Sequence, residues 1–265
     1  MFRRNMLCSS LFVLTFLGFL SFFASSQVAD DVECLRGIKA TLSDPEASLA
    51  TWRFGNTTPG FICNFEGVTC WNSSENRVLD LELQSFKLSG RIPESLKYCG
   101  KSLQRLSLSN NSLSSEIPIE ICTWLPFLVS VDFSRNRLSG AIPPSFSNCS
   151  YLNELVLSDN ELSGAIPTEF GSLKRLKKLS VANNRLSGMV PASLSGFGEE
   201  DFKGNKGLCG SPLESMCGGM SKKKRVAVIV AAGVGGALVS LLLSLGFYWW
   251  CSKITTNNKI ETNSK

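Results

Sequence analysis

Between residues 78 and 197 the apolar positions recur on one frame, LxxLxLxxNxLSGxIP, and five units align to it. The first runs through Val78, Leu81, Leu83, Phe86, Leu88, Gly90, Ile92 and Pro93. The second runs through Leu103, Leu106, Leu108, Asn111, Leu113, Ile117 and Pro118. The remaining three carry Asn136, Asn160 and Asn184 at the same ninth position, and successive ninth positions lie 25, 25, 24 and 24 residues apart. Units this small cannot enclose an apolar face alone, so the repeat predicts a stacked solenoid with one continuous core. The LxL alternation predicts a short strand with leucines inward and the intervening residues outward. The ninth-position Asn is expected to turn inward and satisfy backbone groups that would otherwise be buried without partners. Phe86 replaces it in the first unit and reads as capping, while Ser115 stands where the other units have Gly.

Two stretches break this pattern by being apolar throughout. Met1 to Phe23 opens with Arg3 and Arg4, and Ala24-Ser25-Ser26 supplies small residues ahead of Gln27, which together predict a secretory signal over 1–26. Val226 to Trp250 holds 25 residues without a charge, enough to cross about 30 Å of hydrocarbon. Phe247 to Trp250 fall where an interfacial aromatic belt would sit. The pair predicts a single-pass plasma-membrane protein with its N-terminal body outside and residues 251–265 in the cytosol. The basic cluster Lys222–Arg225 then lies outside, against the usual bias, and the cleaved signal decides the orientation.

Charge changes the picture only when it is located. The net +5 is held at the flanks of the apolar stretches, which carry +8 and leave −3 on residues 27–221. Nucleic-acid binding loses its support. The chain has no His, which excludes Ser-His-Asp and Cys-His nucleophile pairs and His-containing metal sites. Gly233-Val234-Gly235-Gly236 lies inside the predicted span and cannot cradle phosphate, and the kinase signature residues are missing. Glu82, Asp132 and Glu154 project from the strands and read as solvated carboxylates rather than a glycosidase pair. The expectation is a binding protein, not an enzyme, with no cofactor and no metal.

Eight cysteines lie between the two apolar stretches, an even number in an oxidising compartment. Cys63 with Cys70 and Cys209 with Cys217 are each close in sequence, and such bridges would lock the exposed ends of the solenoid. Cys99 and Cys122, on adjacent turns, are the candidate third pair, with Cys34 and Cys149 unassigned. Sequons for N-glycosylation stand at Asn56, Asn72, Asn110 and Asn148.

The LSGxIP segments resemble the plant-specific leucine-rich repeats of receptor-like kinases and receptor-like proteins. Asp31-Val32-Glu33-Cys34-Leu35, Trp52 and Cys63-x6-Cys70-Trp71 resemble that family's N-terminal cap, and Phe202 through Cys217 its C-terminal cap. The resemblance implies an α/β leucine-rich-repeat solenoid, a short curved parallel sheet with a 3-10 or irregular convex side. It divides the chain into signal 1–26, N-terminal cap 27–77, five repeats 78–197, C-terminal cap and juxtamembrane 198–225, span 226–250 and tail 251–265. Five repeats with Cys34, Cys99, Ile121-Cys122-Thr123-Trp124 and Cys149 narrow the likeness to the inactive receptor kinases that bind somatic-embryogenesis co-receptor kinases. In that group it implies negative control of immune and growth signalling by occupying the co-receptor. Those proteins continue into a kinase-like domain, so the chain is expected to be a shortened relative or part of a longer one.

Counting outward from the leucines gives a surface of Glu82 and Gln84, Arg105 and Ser107, Asp132 and Ser134, Glu154 and Val156, Lys178 and Ser180. The residues just before each strand's first leucine, Ser102, Phe127, Tyr151 and Arg175, should stack along one sheet edge. Aromatic and Arg residues at an exposed edge are the types that carry interface energy. The expected partner-binding set is Phe127, Tyr151, Arg175, Asp132, Glu154 and Lys178, and the expected partner is a receptor or co-receptor kinase ectodomain. Phe61 and Phe65 are assigned to the core. Peptide capture is the second reading, and a secreted-type inhibitor of microbial wall enzymes the third.

Overall fold

The computed structural model describes residues 30–217 and 241–245. It divides into two units, Met1–Glu214 and Ser215–Lys265. In the second, Leu241 to Leu245 form a helical turn with exposed leucines. Among the described residues no helix is long and apolar enough to cross a membrane. The expected signal 1–26, the tail 251–265 and the rest of the span 226–250 lie outside the described residues.

The first unit opens with α1 (Asp30–Thr41), which buries Cys34, Leu35 and Ile38 on one helical face. Strands β1 (Val68–Cys70) and β2 (Val78–Glu82) pair antiparallel. From β2 onward the repeats add one parallel strand each: β4 (Arg105–Ser107), β6 (Ser130–Asp132), β8 (Glu154–Val156) and β10 (Lys178–Ser180). The inward residues Leu81, Leu83, Leu106, Val131, Phe133, Leu155, Leu157, Leu179 and Val181 are buried, as the alternation requires. Phe61 and Phe65 join the same core.

A second row of short strands runs through the LSGxIP segments, which sequence reading left irregular. It comprises β3 (Ser89–Gly90), β5 (Ser112–Glu116), β7 (Arg137–Ser139), β9 (Ser163–Gly164), β11 (Arg185–Met189) and β12 (Gly207–Cys209). An Ala141 to Ser163 bridge joins the two three-stranded groups. Ser and Gly have weak strand preference, so stacking of neighbouring repeats, not local sequence, makes these strands. The far side carries 3-10 turns at Glu94–Cys99, Pro144–Asn148, Thr168–Ser172 and Ala192–Leu194, with one α-helical turn, α2 (Ile121–Trp124).

The Asn ladder fixes repeat against repeat. Asn136 Oδ1 accepts the Leu113 N–H at 2.9 Å, and its Nδ2 donates to the Leu108 carbonyl of the preceding repeat and to the carbonyls of Phe133 and Ser134. Asn160 and Asn184 repeat the arrangement, and Asn111 makes it from a half-buried position. A further rung was not expected. Asn205, in the C-terminal cap, accepts the Leu186 N–H and donates to the Val181 carbonyl. With Phe202 fully buried beside it, the cap begins as a partial sixth turn.

Two expectations are corrected. Cys99 does not bridge to Cys122: the disulfides are Cys34–Cys99 and Cys122–Cys149, with Cα atoms 5.6 and 5.2 Å apart. The reason is packing. Helix α1 lies so closely on Glu94–Cys99 that a Cβ on Gly37 would meet the Ser95 Cβ at 2.4 Å, which places Cys34 over Cys99 and leaves Cys122 to the next turn. Cys63–Cys70 is bridged as expected, and Cys209 and Cys217 are each disulfide-bonded. The outward rows are also corrected. Backbone pairing aligns Asp80, Arg105, Ser130, Glu154 and Lys178 in one row and Glu82, Ser107, Asp132, Val156 and Ser180 in the next. Val156 is buried despite its outward position.

Candidate functional site

The register that aligns the strands also aligns the residues preceding them, because each repeat enters its strand through the same turn. Phe127 and Tyr151 stand 45% and 46% exposed on the edge where the strands begin. Their ring centroids are 6.0 Å apart, and the Arg175 guanidinium lies 5.3 Å from the Tyr151 ring centre. Each such contact contributes roughly 0.5–1 kcal/mol at an exposed site. The three expected edge residues are therefore a group in mutual contact, with the two rings tilted by 38°, rather than separate side chains.

Below Tyr151 the surface opens into a hollow of about 390 Å³, lined by Val129, Tyr151, Asn153, Lys174, Arg175 and Lys177. Three of the six lining residues are cationic and none is acidic. The Lys174 ammonium bonds the Gly171 carbonyl, and the lining is more apolar than polar, with the cationic residues at hand around it. Sequence reading passed over Asn153, Lys174 and Lys177. The run Lys174-Arg175-Leu176-Lys177-Lys178 was the available signal.

The remaining expected site residues do not join this edge. Lys178 and Glu154 pair with each other at 2.5 Å across β10 and β8, and the Ser130 hydroxyl donates to the same carboxylate. The Lys178 ammonium holds the Glu154 carboxyl below its usual range, and Glu154 raises Lys178 in return. Asp132 accepts the backbone and hydroxyl hydrogens of Ser134. Arg105 is bonded to the buried Asp80 at 2.5 Å, which raises the guanidinium pKa. The concave face thus satisfies much of its own charge.

Ser102 is corrected as an edge residue. It is 2% exposed, and its hydroxyl turns inward to donate to Asp31 of α1. The Trp71 indole N–H donates to the Ser102 carbonyl at 3.1 Å, the ring is 47% exposed, and Arg77 stands 5.2 Å from its centre. The sequons are all exposed. Asn110 already uses its amide nitrogen, donating to Ser85 at 2.8 Å. Among the described residues no cluster of His, Cys, Asp or Glu could hold a metal ion.

Residues 126–197 match the family described as leucine rich repeat, residues 28–71 the leucine rich repeat N-terminal domain, and residues 102–124 a further leucine rich repeat. The chain is 56% identical over 241 residues to the inactive LRR receptor-like serine/threonine-protein kinase BIR2 of Arabidopsis thaliana. The match covers 89% of the chain and 40% of that relative. The crystal structure of the BIR2 ectodomain superposes with a TM-score of 0.69 at 59% identity, covering 71% of this chain and 98% of that one. The structure of the BIR3–SERK2 complex from Arabidopsis thaliana matches at 53% identity and a TM-score of 0.68, covering 71% and 100%.

Proposed function

Because the chain belongs to the plant leucine-rich-repeat receptor-like kinase family, we propose that its extracellular solenoid docks sideways, through Phe127, Tyr151 and Arg175, onto the ectodomain of a co-receptor kinase. The observation that carries this is the group of Phe127, Tyr151 and Arg175 already in mutual contact and standing exposed beside a hollow lined by three cationic residues. A similar protein, BIR3, is solved in complex with SERK2. Rigid aromatics lose little conformational freedom on binding, and the hollow favours an acidic group on the partner. Residues 1–26 serve as the secretory signal and 226–250 as the membrane anchor in this reading. Occupying the co-receptor would hold it away from immune and growth receptors, so the effect on signalling is negative. The role is one of binding, not catalysis.

Peptide capture on the concave face ranks second because Glu154, Lys178, Asp80 and Arg105 already pair with one another there. Sequon occupancy at Asn56, Asn72, Asn110 and Asn148 belongs to the same extracellular reading.

The test is the affinity of the chain for the SERK2 ectodomain, wild type against Tyr151→Ala/Arg175→Ala. Central aromatic and Arg anchors contribute on the order of 2 kcal/mol each, and losing one anchor's worth alone weakens binding about 30-fold, so the double variant should bind at least that much more weakly. Affinity within twofold of wild type removes the edge from consideration.

A further inference from the structure

We infer that the docking edge does not begin at Phe127 but continues onto the N-terminal cap through Trp71 and Arg77, forming one ridge that carries a guanidinium against an aromatic ring toward each end. The inference rests on the lateral-docking reading above and extends its footprint.

The strand register places Arg77, Ser102, Phe127, Tyr151 and Arg175 at equivalent positions of five successive repeats, each three residues before a paired strand residue (Asp80, Arg105, Ser130, Glu154, Lys178). At about 4.8 Å per strand, the row spans roughly 19 Å. Its second position is vacated, because Ser102 is buried and small. Trp71 reaches this position from outside the repeats: its indole N–H bonds the Ser102 carbonyl, and its backbone N–H bonds the Arg77 carbonyl. The exposed side chains along this edge are therefore Trp71 and Arg77 at the cap end and Phe127, Tyr151 and Arg175 farther along, with the Trp71 indole reaching inward to the Ser102 carbonyl.

Both ends have the same construction. Arg77 lies 5.2 Å from the Trp71 ring centre, as Arg175 lies 5.3 Å from that of Tyr151. A Trp left 47% exposed yet fixed by two hydrogen bonds and a cation is pre-organised. Such a residue loses little freedom when covered, which is the property that concentrates binding energy in Trp, Tyr and Arg. The partner surface that fits is an apolar strip flanked by carboxylates on the order of 19 Å apart. A co-receptor ectodomain docking only at Tyr151 and Arg175 would leave the Trp71 end in water.

Binding of the full chain, held in lipid nanodiscs, to soluble SERK2 ectodomain separates the possibilities. Trp71→Ala should weaken binding at least tenfold and Arg77→Glu at least fivefold. The Arg77→Glu effect should shrink as salt is raised from 50 to 500 mM. Arg77 is exposed, so its variant tests the ridge even if Trp71→Ala melts early. The ridge is overturned if both variants bind within twofold of wild type while Tyr151→Ala/Arg175→Ala loses binding. If all three variants bind like wild type, or wild type does not bind, lateral docking itself fails and the ridge with it.

Discussion

Replacing Asn136 by Ala should cost about 3 kcal/mol, although it changes no apolar contact of the leucine core. The side chain is 8% exposed and accepts the Leu113 N–H while its amide donates to Leu108 and Phe133. Those carbonyls keep other partners, since Asn111 also donates to Leu108 and Asn160 to Phe133. The Leu113 N–H loses the buried oxygen that accepts it at 2.9 Å. A buried donor left without a partner costs roughly 1–3 kcal/mol, and each lost net bond adds about 1. Urea unfolding followed by tryptophan fluorescence would read this as a midpoint lowered by on the order of 1 M.

Asn136→Asp sharpens the test. The acid keeps the acceptor for Leu113 but turns a second oxygen toward three carbonyls, so the folded state favours the protonated form. Its folded pKa then exceeds the unfolded value of about 3.9, and the variant's deficit grows as pH rises from 4 through the folded pKa. The deficit at pH 7 should exceed that at pH 4, whereas the Ala deficit should barely move. A loss below 1 kcal/mol for Ala, or an Asp deficit independent of pH, would refute the ladder as the bond between repeats.

Two further outcomes follow from local geometry. Ser115 holds φ at 102°, where the other units place Gly90, Gly140, Gly164 and Gly188; Ser115→Gly should therefore raise stability by about 1 kcal/mol in the same urea assay. Glu154→Gln should lower stability at neutral pH by less than about 1 kcal/mol, because the Lys178 partner is 64% exposed and screened. Glu154 has a depressed pKa, so its contribution is present above the unfolded value near 4.3 and is lost as pH falls through the folded one. The gap between wild type and Glu154→Gln should close on acidification.

What could be read from sequence was whatever repeats. The leucines and the Asn ladder announce themselves because every unit needs the same inward groups, and Phe127, Tyr151 and Arg175 line up because the period carries them. The failures share a cause: each depended on a choice that periodicity leaves open. Side chains two apart on a strand both point outward, so the pattern alone accepts Glu82 or Asp80 beside Arg105, and only backbone pairing selects Asp80. Cys99 could reach one turn back or forward, and the close seating of α1 on Glu94–Cys99 decided for Cys34. Ser102 occupied an edge position by count but is buried against the cap, its hydroxyl held by Asp31 of α1 and its carbonyl by the Trp71 indole, both from a segment with no repeat. The caps themselves and the Cys63–Cys70 bridge were legible, but the contacts they make with the first repeats were not. They are where an aperiodic segment overwrites a periodic surface, and so where one receptor's edge can differ from that of another built on the same repeat.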